Sequence, residues 1–309
     1  MHFAIYLPVA KTAVNIFLLI GLGSIVGFLS GLFGVGGGFL MTPVLIIIGI
    51  PPTVAAASDS NQIVAASASG TYAHARSGSV DFKMGILLLL GGIAGGSAGV
   101  WLIKLLVKVG EANFFITITY VVLLGFVGTY MFFESLGSLW RKQRPFVEVA
   151  PERPSIYARF VRSLPFRTTF PRSSITLSAL MPLLLGILVG VLAAIMGVGG
   201  GFIMLPVMIY LLRMPMHVVV GTSLFQILFT CMNVTILQSY LNHTVDLVLA
   251  LLLLLGSVIG AQIGARVSKR LKADQLKILM AIIVLLVMGK MLFDLLLPPE
   301  FLLAYKGGH

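Results

Sequence analysis

The stretch Gly34-Val35-Gly36-Gly37-Gly38-Phe39-Leu40-Met41-Thr42-Pro43-Val44-Leu45-Ile46 returns in the second half of the chain as Gly197-Val198-Gly199-Gly200-Gly201-Phe202-Ile203-Met204-Leu205-Pro206-Val207-Met208-Ile209. The copies differ only at Leu40/Ile203, Thr42/Leu205 and Leu45/Met208. The chain around both is strongly apolar. A duplicated hydrophobic segment broken by glycines is the best pointer that sequence offers to a secondary transporter, and to where it binds its substrate. The match continues outward. Pro51 pairs with Pro215, Gln62-Ile63 with Gln226-Ile227, Val80-Asp81 with Val245-Asp246, and Leu90-Gly91 with Leu255-Gly256.

Composition sets the class. The 309 residues are 58% hydrophobic and 10% charged, with a mean hydropathy of +1.06. Soluble domains carry roughly 25% charged residues, so this chain cannot cover itself with a solvated surface. It reads as an all-α polytopic membrane protein whose partners include the lipid bilayer. The net charge of +11 would suggest nucleic acid in a soluble protein. Here the basic residues sit in short loops between apolar runs and set orientation instead, and no aromatic-interleaved basic patch points to nucleic acid. Cys231 stands alone, which excludes a disulfide within the chain, and reads as a small buried hydrophobe. The amino terminus lacks a signal peptide's basic start, and Val14–Phe33 is long enough to stay as a spanning helix.

Apolar segments fall at 14–33, 38–50, 53–73, 84–106 and 112–134, then at 178–196, 201–212, 217–239, 247–267 and 275–297. About five segments per repeat is an odd number, so the second copy is expected upside down relative to the first. Charge gives a separate test. With the connection Ser135–Leu177 in the cytoplasm, its eight Arg and Lys lie inside, together with Arg76, Lys83, Arg213 and the cluster Arg266, Lys269, Arg270, Lys272 and Lys277. That satisfies the positive-inside rule and leaves both termini outside, in the periplasm. Segments 38–50 and 201–212 are too short to cross a hydrocarbon core of ~30 Å as helices and read as broken or half helices. The organisation expected is a first repeat at 1–135, a basic cytoplasmic linker at 136–177 and a second repeat at 178–309. Within the linker, Ile156–Leu164 has the spacing of a short interfacial helix, and a pair of strands through Pro165–Ile175 is the competing reading.

Three sets of residues could carry chemistry. Consecutive glycines leave backbone N–H groups unshielded and permit positive φ, so Gly36, Gly37, Gly38 and Gly199, Gly200, Gly201 can cradle an anion. Close packing at a sharp turn is the plainer alternative. Polar residues early in the third segments form the second set: Asp59, Asn61 and Gln62, with Thr222, Ser223 and Gln226 opposite. Gln62 and Gln226 occupy equivalent positions and can donate to an anion without bringing a charge. An acid at such depth is costly, which makes Asp59 either a proton-exchanging group or a neutral, hydrogen-bonded packing residue. The third set, Gly91, Gly95 and Gly99 with Gly256, Gly260 and Gly264, has the four-residue spacing of close helix packing. Lys290 and Asp294 are four apart and positioned to pair. The histidines lack metal-site spacing, and no nucleotide, zinc-protease or serine-hydrolase motif is present. No cofactor or metal is expected, and no enzymatic activity.

The doubled Gly-Val-Gly-Gly-Gly-Phe with a following Pro, together with the pairs Val80-Asp81 and Val245-Asp246, resembles the TauE/SafE sulfite-exporter family. The likeness covers nearly all of 14–297. It implies a bacterial inner-membrane carrier for small sulfur-containing or organic anions, such as sulfite or sulfoacetate. The family commonly has Thr-Ser after its glycine motif. The second repeat has it at Thr222-Ser223, whereas the first reads Ser58-Asp59. A membrane-embedded enzyme would need convergent acids, bases or metal ligands. A non-transporting assembly or sensor subunit would need a partner-facing domain, for which 136–177 is the sole option. A homo-oligomer is compatible with the sequence.

Overall fold

The computed structural model describes residues 4–33, 38–140, 167–173, 175–212, 214–268 and 273–296. The expected interfacial helix at 156–164 lies outside them. Each half has the same element order. The first opens with an antiparallel hairpin, β1 Ala4–Leu7 and β2 Thr12–Asn15, followed by α1 Ile16–Phe33, α2 Gly38–Ile47, α3 Pro52–Arg76, α4 Phe82–Val109 and α5 Ala112–Trp140. The second opens with β3 Arg167–Phe170 and β4 Ile175–Ser178. It continues with α6 Leu180–Met196, α7 Gly201–Pro206, α8 Met216–Leu237, α9 Leu247–Ser268 and α10 Ala273–Leu296.

The helix boundaries follow from local chemistry. Pro52 opens α3, where its missing N–H costs nothing. Asp81 caps α4 by accepting from the Met84 N–H, and Gly110 ends it in the left-handed conformation. Gly197 ends α6 the same way. In α2, Pro43 sits inside the helix. In the second half, α7 ends at the equivalent Pro206 and passes into a π-helical turn, Val207–Leu211. At 1.5 Å per residue α2 is about 15 Å long, so the short segments are half-length helices. Among the described residues, five stretches are long and apolar enough to cross a membrane: Phe82–Val109, Ala112–Phe133, Val218–Asn242, Leu247–Gly264 and Ile278–Leu296. Large apolar side chains such as Ile25, Trp101, Phe126, Leu188, Ile259 and Leu286 are exposed on the outside, as suits a surface facing lipid.

Two hairpins distinguish the fold from the expected segments. The first helix begins at Ile16, because residues 4–15 form β1–β2. Of the linker, strands occupy 167–170 and 175–178, and β3–β4 stands before α6 as β1–β2 stands before α1. Residues 136–140 continue α5.

The halves interlock by exchange. α1 runs along α9 and α4 along α6, and both pairs are parallel. Gly23 and Gly27 meet Leu253–Ser257, while Gly91, Gly95 and Gly99 meet Leu183–Ala194. Backbone touches backbone here: a Cβ on Gly190 would lie 2.5 Å from the Gly92 carbonyl oxygen and 2.8 Å from the Gly96 nitrogen. Equivalent helices meet antiparallel at the centre. In α3 and α8, Ile63 packs on Ile227 and Cys231, Gly70 on Leu224, and His74 on Gly221. In α5 and α10, Gly125 faces Met288 and Gly128 faces Val284 and Leu285. α3, rich in Ala and Ser, is shielded by α2, α5, α8 and α9.

Candidate functional site

The centre of the molecule is the crossing of α3 and α8 at Ile63 and Ile227. Both helices are polar there. Asp59, Ser60, Ser223, Gln226 and Thr230 are 0% exposed and Gln62 is 5% exposed, so in this conformation the centre is closed to both sides. One glycine from each half reaches it, Gly38 and Gly199. A Cβ on Gly38 would collide with the Ile63 side chain and lie 3.3 Å from Asp59 Oδ2. One on Gly199 would lie 2.5 Å from Cys231 Sγ and 2.8 Å from Ile227 Cγ2. The equivalent rings of Phe39 and Phe202 stack at 4.5 Å and 8°. Gly197, Gly199 and Gly200 have φ of +71°, +69° and +75°, a region closed to most side chains. Only glycine combines that backbone with this proximity.

The polar groups of the centre are unevenly satisfied. Thr42 Oγ1 donates to Asp59 Oδ2 at 2.8 Å, and Asp59 Oδ1 has no partner. Gln226 Nε2 donates to Thr230 Oγ1 at 3.0 Å, while the side-chain carbonyls of Gln62 and Gln226 are buried without partners. Turning the Gln226 amide over keeps its link to Thr230, whose hydroxyl then donates, and frees two N–H donors. The end of α6 is held by the first half. Ser60 Oγ donates to the Gly197 carbonyl at 3.1 Å, and the Tyr120 hydroxyl donates to the Met196 carbonyl. These carbonyls would otherwise be orphans of a helix terminus.

The two halves do not contribute alike. Thr42, Asp59 and Ser60 align with Leu205, Ser223 and Leu224, so the acid and its hydroxyl neighbours come from the first half alone. Ser223 Oγ donates back to the Val220 carbonyl.

Of the site residues expected from sequence, the structure gathers Gly38, Asp59, Gln62, Gly199, Ser223 and Gln226 around the crossing. Gly200 packs instead on Val189 of its own repeat, and Gly201 is buried at the start of α7. Asn61 is half-buried and takes part in none of these bonds. Gly36 and Gly37 lie outside the described residues. Thr222 is engaged away from the crossing: its Oγ1 accepts from the Asp81 N–H at 3.0 Å. Sequence reasoning missed Thr42 and Tyr120. Thr42 could have been found, as a polar mismatch within the repeated motif; nothing marks Tyr120 among the aromatics of an apolar helix. Among the described residues no three His, Cys, Asp or Glu side chains come together.

A family model described as Sulfite exporter TauE/SafE matches residues 19–291. The Bacillus subtilis (strain 168) protein YunE, a probable membrane transporter protein, is 24% identical over 286 residues, covering 90% of this chain and 97% of that relative. YjnA of the same organism, also a probable membrane transporter protein, is 36% identical over 87 residues, 28% of this chain and 34% of its own. A probable membrane transporter protein of Xylella fastidiosa (strain Temecula1 / ATCC 700964) is 26% identical over 222 residues, 70% of this chain and 71% of its own. No solved structure matches significantly. The apolar helices, the interlocked halves and the family match across both repeats lead to one conclusion: this chain is a multi-pass membrane transporter and belongs to the Sulfite exporter TauE/SafE family.

Proposed function

We propose that the protein exports small sulfur-containing or organic anions, such as sulfite or sulfoacetate, across the bacterial inner membrane by alternating access between two inverted repeats. The single observation that carries this reading is the buried crossing of α3 and α8. There, uncharged amides and hydroxyls and the glycines Gly38 and Gly199 converge from halves whose equivalent helices meet antiparallel. An anion would be held by Gln62, Gln226 and the backbone at Gly38 and Gly199, with Asn61 and Ser223 at its margin. A site closed on both sides exchanges its contents only when the halves move. A cytoplasm-negative potential of 100 mV assists each outward anionic charge by about 2.3 kcal/mol, enough to drive export without ATP.

The test is flux of sulfite and a panel of organosulfonates from proteoliposomes. Wild-type protein is expected to carry at least one of them, and Gln62→Leu with Gln226→Leu to reduce that flux at least tenfold. Absence of wild-type flux for every anion in the panel refutes the proposal. Asp59 favours a second reading, a proton-coupled anion importer, because one of its oxygens is buried and unpartnered. Uptake driven by an imposed pH gradient and abolished in Asp59→Asn would select that reading.

A further inference from the structure

Asp81 and Asp246 are equivalent residues, and each joins three parts of the protein. Asp81 Oδ1 accepts from the Met84 N–H at the start of α4, as Asp246 Oδ1 accepts from the Leu249 N–H at the start of α9. The second oxygen of each holds the turn of a hairpin from the other half. Asp81 Oδ2 accepts from Ser173 N at 3.1 Å and Ser173 Oγ at 2.6 Å, and Asp246 Oδ2 accepts from Val9 N at 3.1 Å. The backbone N–H of each then donates to a hydroxyl on the other half's central helix: Asp81 to Thr222 at 3.0 Å, Asp246 to Ser58 at 3.0 Å. Ser58 and Thr222 directly precede Asp59 and Ser223 of the buried centre. Both acids are almost wholly buried. One pattern of long-range bonds therefore occurs twice, exchanged between the halves.

We propose that Asp81 and Asp246 are positioning residues for transport. Each carboxylate latches the opposite half's hairpin over one end of the α3–α8 pair, so that releasing one latch opens the centre to one face and releasing the other opens it to the opposite face. The inference rests on the alternating-access reading and adds to it the bonds that must break. Two bodies follow from the exchanged packing: α1 with α9, and α4 with α6. At one aspartate each is joined both to a hairpin and to a hydroxyl of a central helix. Movement of one body, with loss of its hydroxyl and hairpin bonds, uncovers one end of the crossing while the other stays shut. That is the exclusivity an alternating-access cycle requires.

Asp→Asn separates the latch from the cap. Asparagine still accepts from the helix N–H at an N-cap, but its NH2 replaces the oxygen that holds the hairpin. Arg172 and Lys83 keep bonds across the Asp81 junction, to the carbonyls of Gly78 and Thr169. The reporter is the native Cys231, the sole cysteine in the chain and 1% exposed at the crossing. A charged, membrane-impermeant methanethiosulfonate is applied to either face of oriented vesicles containing the full chain. Asp81→Asn is expected to speed labelling from the β3–β4 face alone, and Asp246→Asn from the β1–β2 face alone, each by roughly tenfold or more, as loss of a charge-assisted hydrogen bond would give. Ser173→Ala and Ser58→Ala, milder changes at the Asp81 and Asp246 junctions, should give the same one-sided rises at smaller amplitude, and each decides the matter if the Asn variant at its junction fails to fold. Acceleration from the same face by both Asn variants, or no one-sided rise in folded variants, overturns the proposal. Labelling needs no substrate. A protein that carries anions but opens without regard to these acids keeps its proposed function and loses its latches.

Discussion

Gly197→Ala isolates what the glycine motif does physically. Two costs meet at this residue. Its φ of +71° places an L-residue in the left-handed region, at about 1–2 kcal/mol. Its added Cβ would collide with the Ala56 carbonyl oxygen and lie 2.5 Å from Ala56 Cα, and that backbone belongs to α3 and cannot turn aside as a side chain would. Overpacking of this kind costs about 1–3 kcal/mol, so the variant should lose about 2–5 kcal/mol in all. Two controls divide the sum. Gly49 has a φ of +94° with nothing within 4 Å of its Cβ position, so Gly49→Ala carries the conformational cost alone. Gly21 lies within α1, also with nothing within 4 Å, and Gly21→Ala should gain nearly 1 kcal/mol from helix propensity. Thermal unfolding midpoints in one detergent should rank Gly21→Ala highest, Gly49→Ala below wild type and Gly197→Ala lowest. A Gly197→Ala midpoint equal to that of Gly49→Ala would show that the motif does not press on α3, and the proposed centre would lose its floor.

Two further outcomes follow from the same site. Tyr120→Phe removes the donor to the buried Met196 carbonyl and should cost about 1–3 kcal/mol, measured by the same melts, because the acceptor is left unpaired. Thr42→Val takes away the hydrogen bond at Asp59 Oδ2 when Oδ1 already has no partner. A similar loss of about 1–3 kcal/mol is expected, whereas Leu205→Val at the equivalent, half-buried position should cost about 0.5–1.5 kcal/mol, as loss of one methylene does.

The helices were legible because their signals are local. Phe82–Val109 shows an acid at its cap, an apolar run and a terminal glycine, and the reading at 84–106 falls inside it. The half-helices were legible from their length against the bilayer. The hairpins were not. β1–β2 has four-residue strands and a Pro8–Lys11 turn, without the Asn-Gly or Asp-Gly signal of a tight turn, and what fixes it is a bond from Val9 to Asp246, 237 residues away. The Val-Asp pairs were visible as repeated letters, but their task of joining cap, hairpin and central helix exists only once both halves are folded together. At the site, Asp59 and the glutamines stood out as polar residues in an apolar chain. The role of Thr222 did not, since a hydroxyl gives no sign of whether it faces the crossing or the next helix cap. The asymmetry of the halves was partly visible, in Ser58-Asp59 against Thr222-Ser223, and extends in the fold to Thr42 and Ser60.

The relation of the two halves across the bilayer can be measured at their hairpins. Pro8 and Pro171 are equivalent, exposed residues at the two turns. In a Cys231→Ala chain, Pro8→Cys and Pro171→Cys can each be challenged with an impermeant maleimide from one side of sealed vesicles. Oppositely oriented repeats predict labelling of Pro8→Cys from the periplasmic face and Pro171→Cys from the cytoplasmic face. Labelling of both from the same face would contradict the inverted arrangement on which alternating access at the α3–α8 crossing depends.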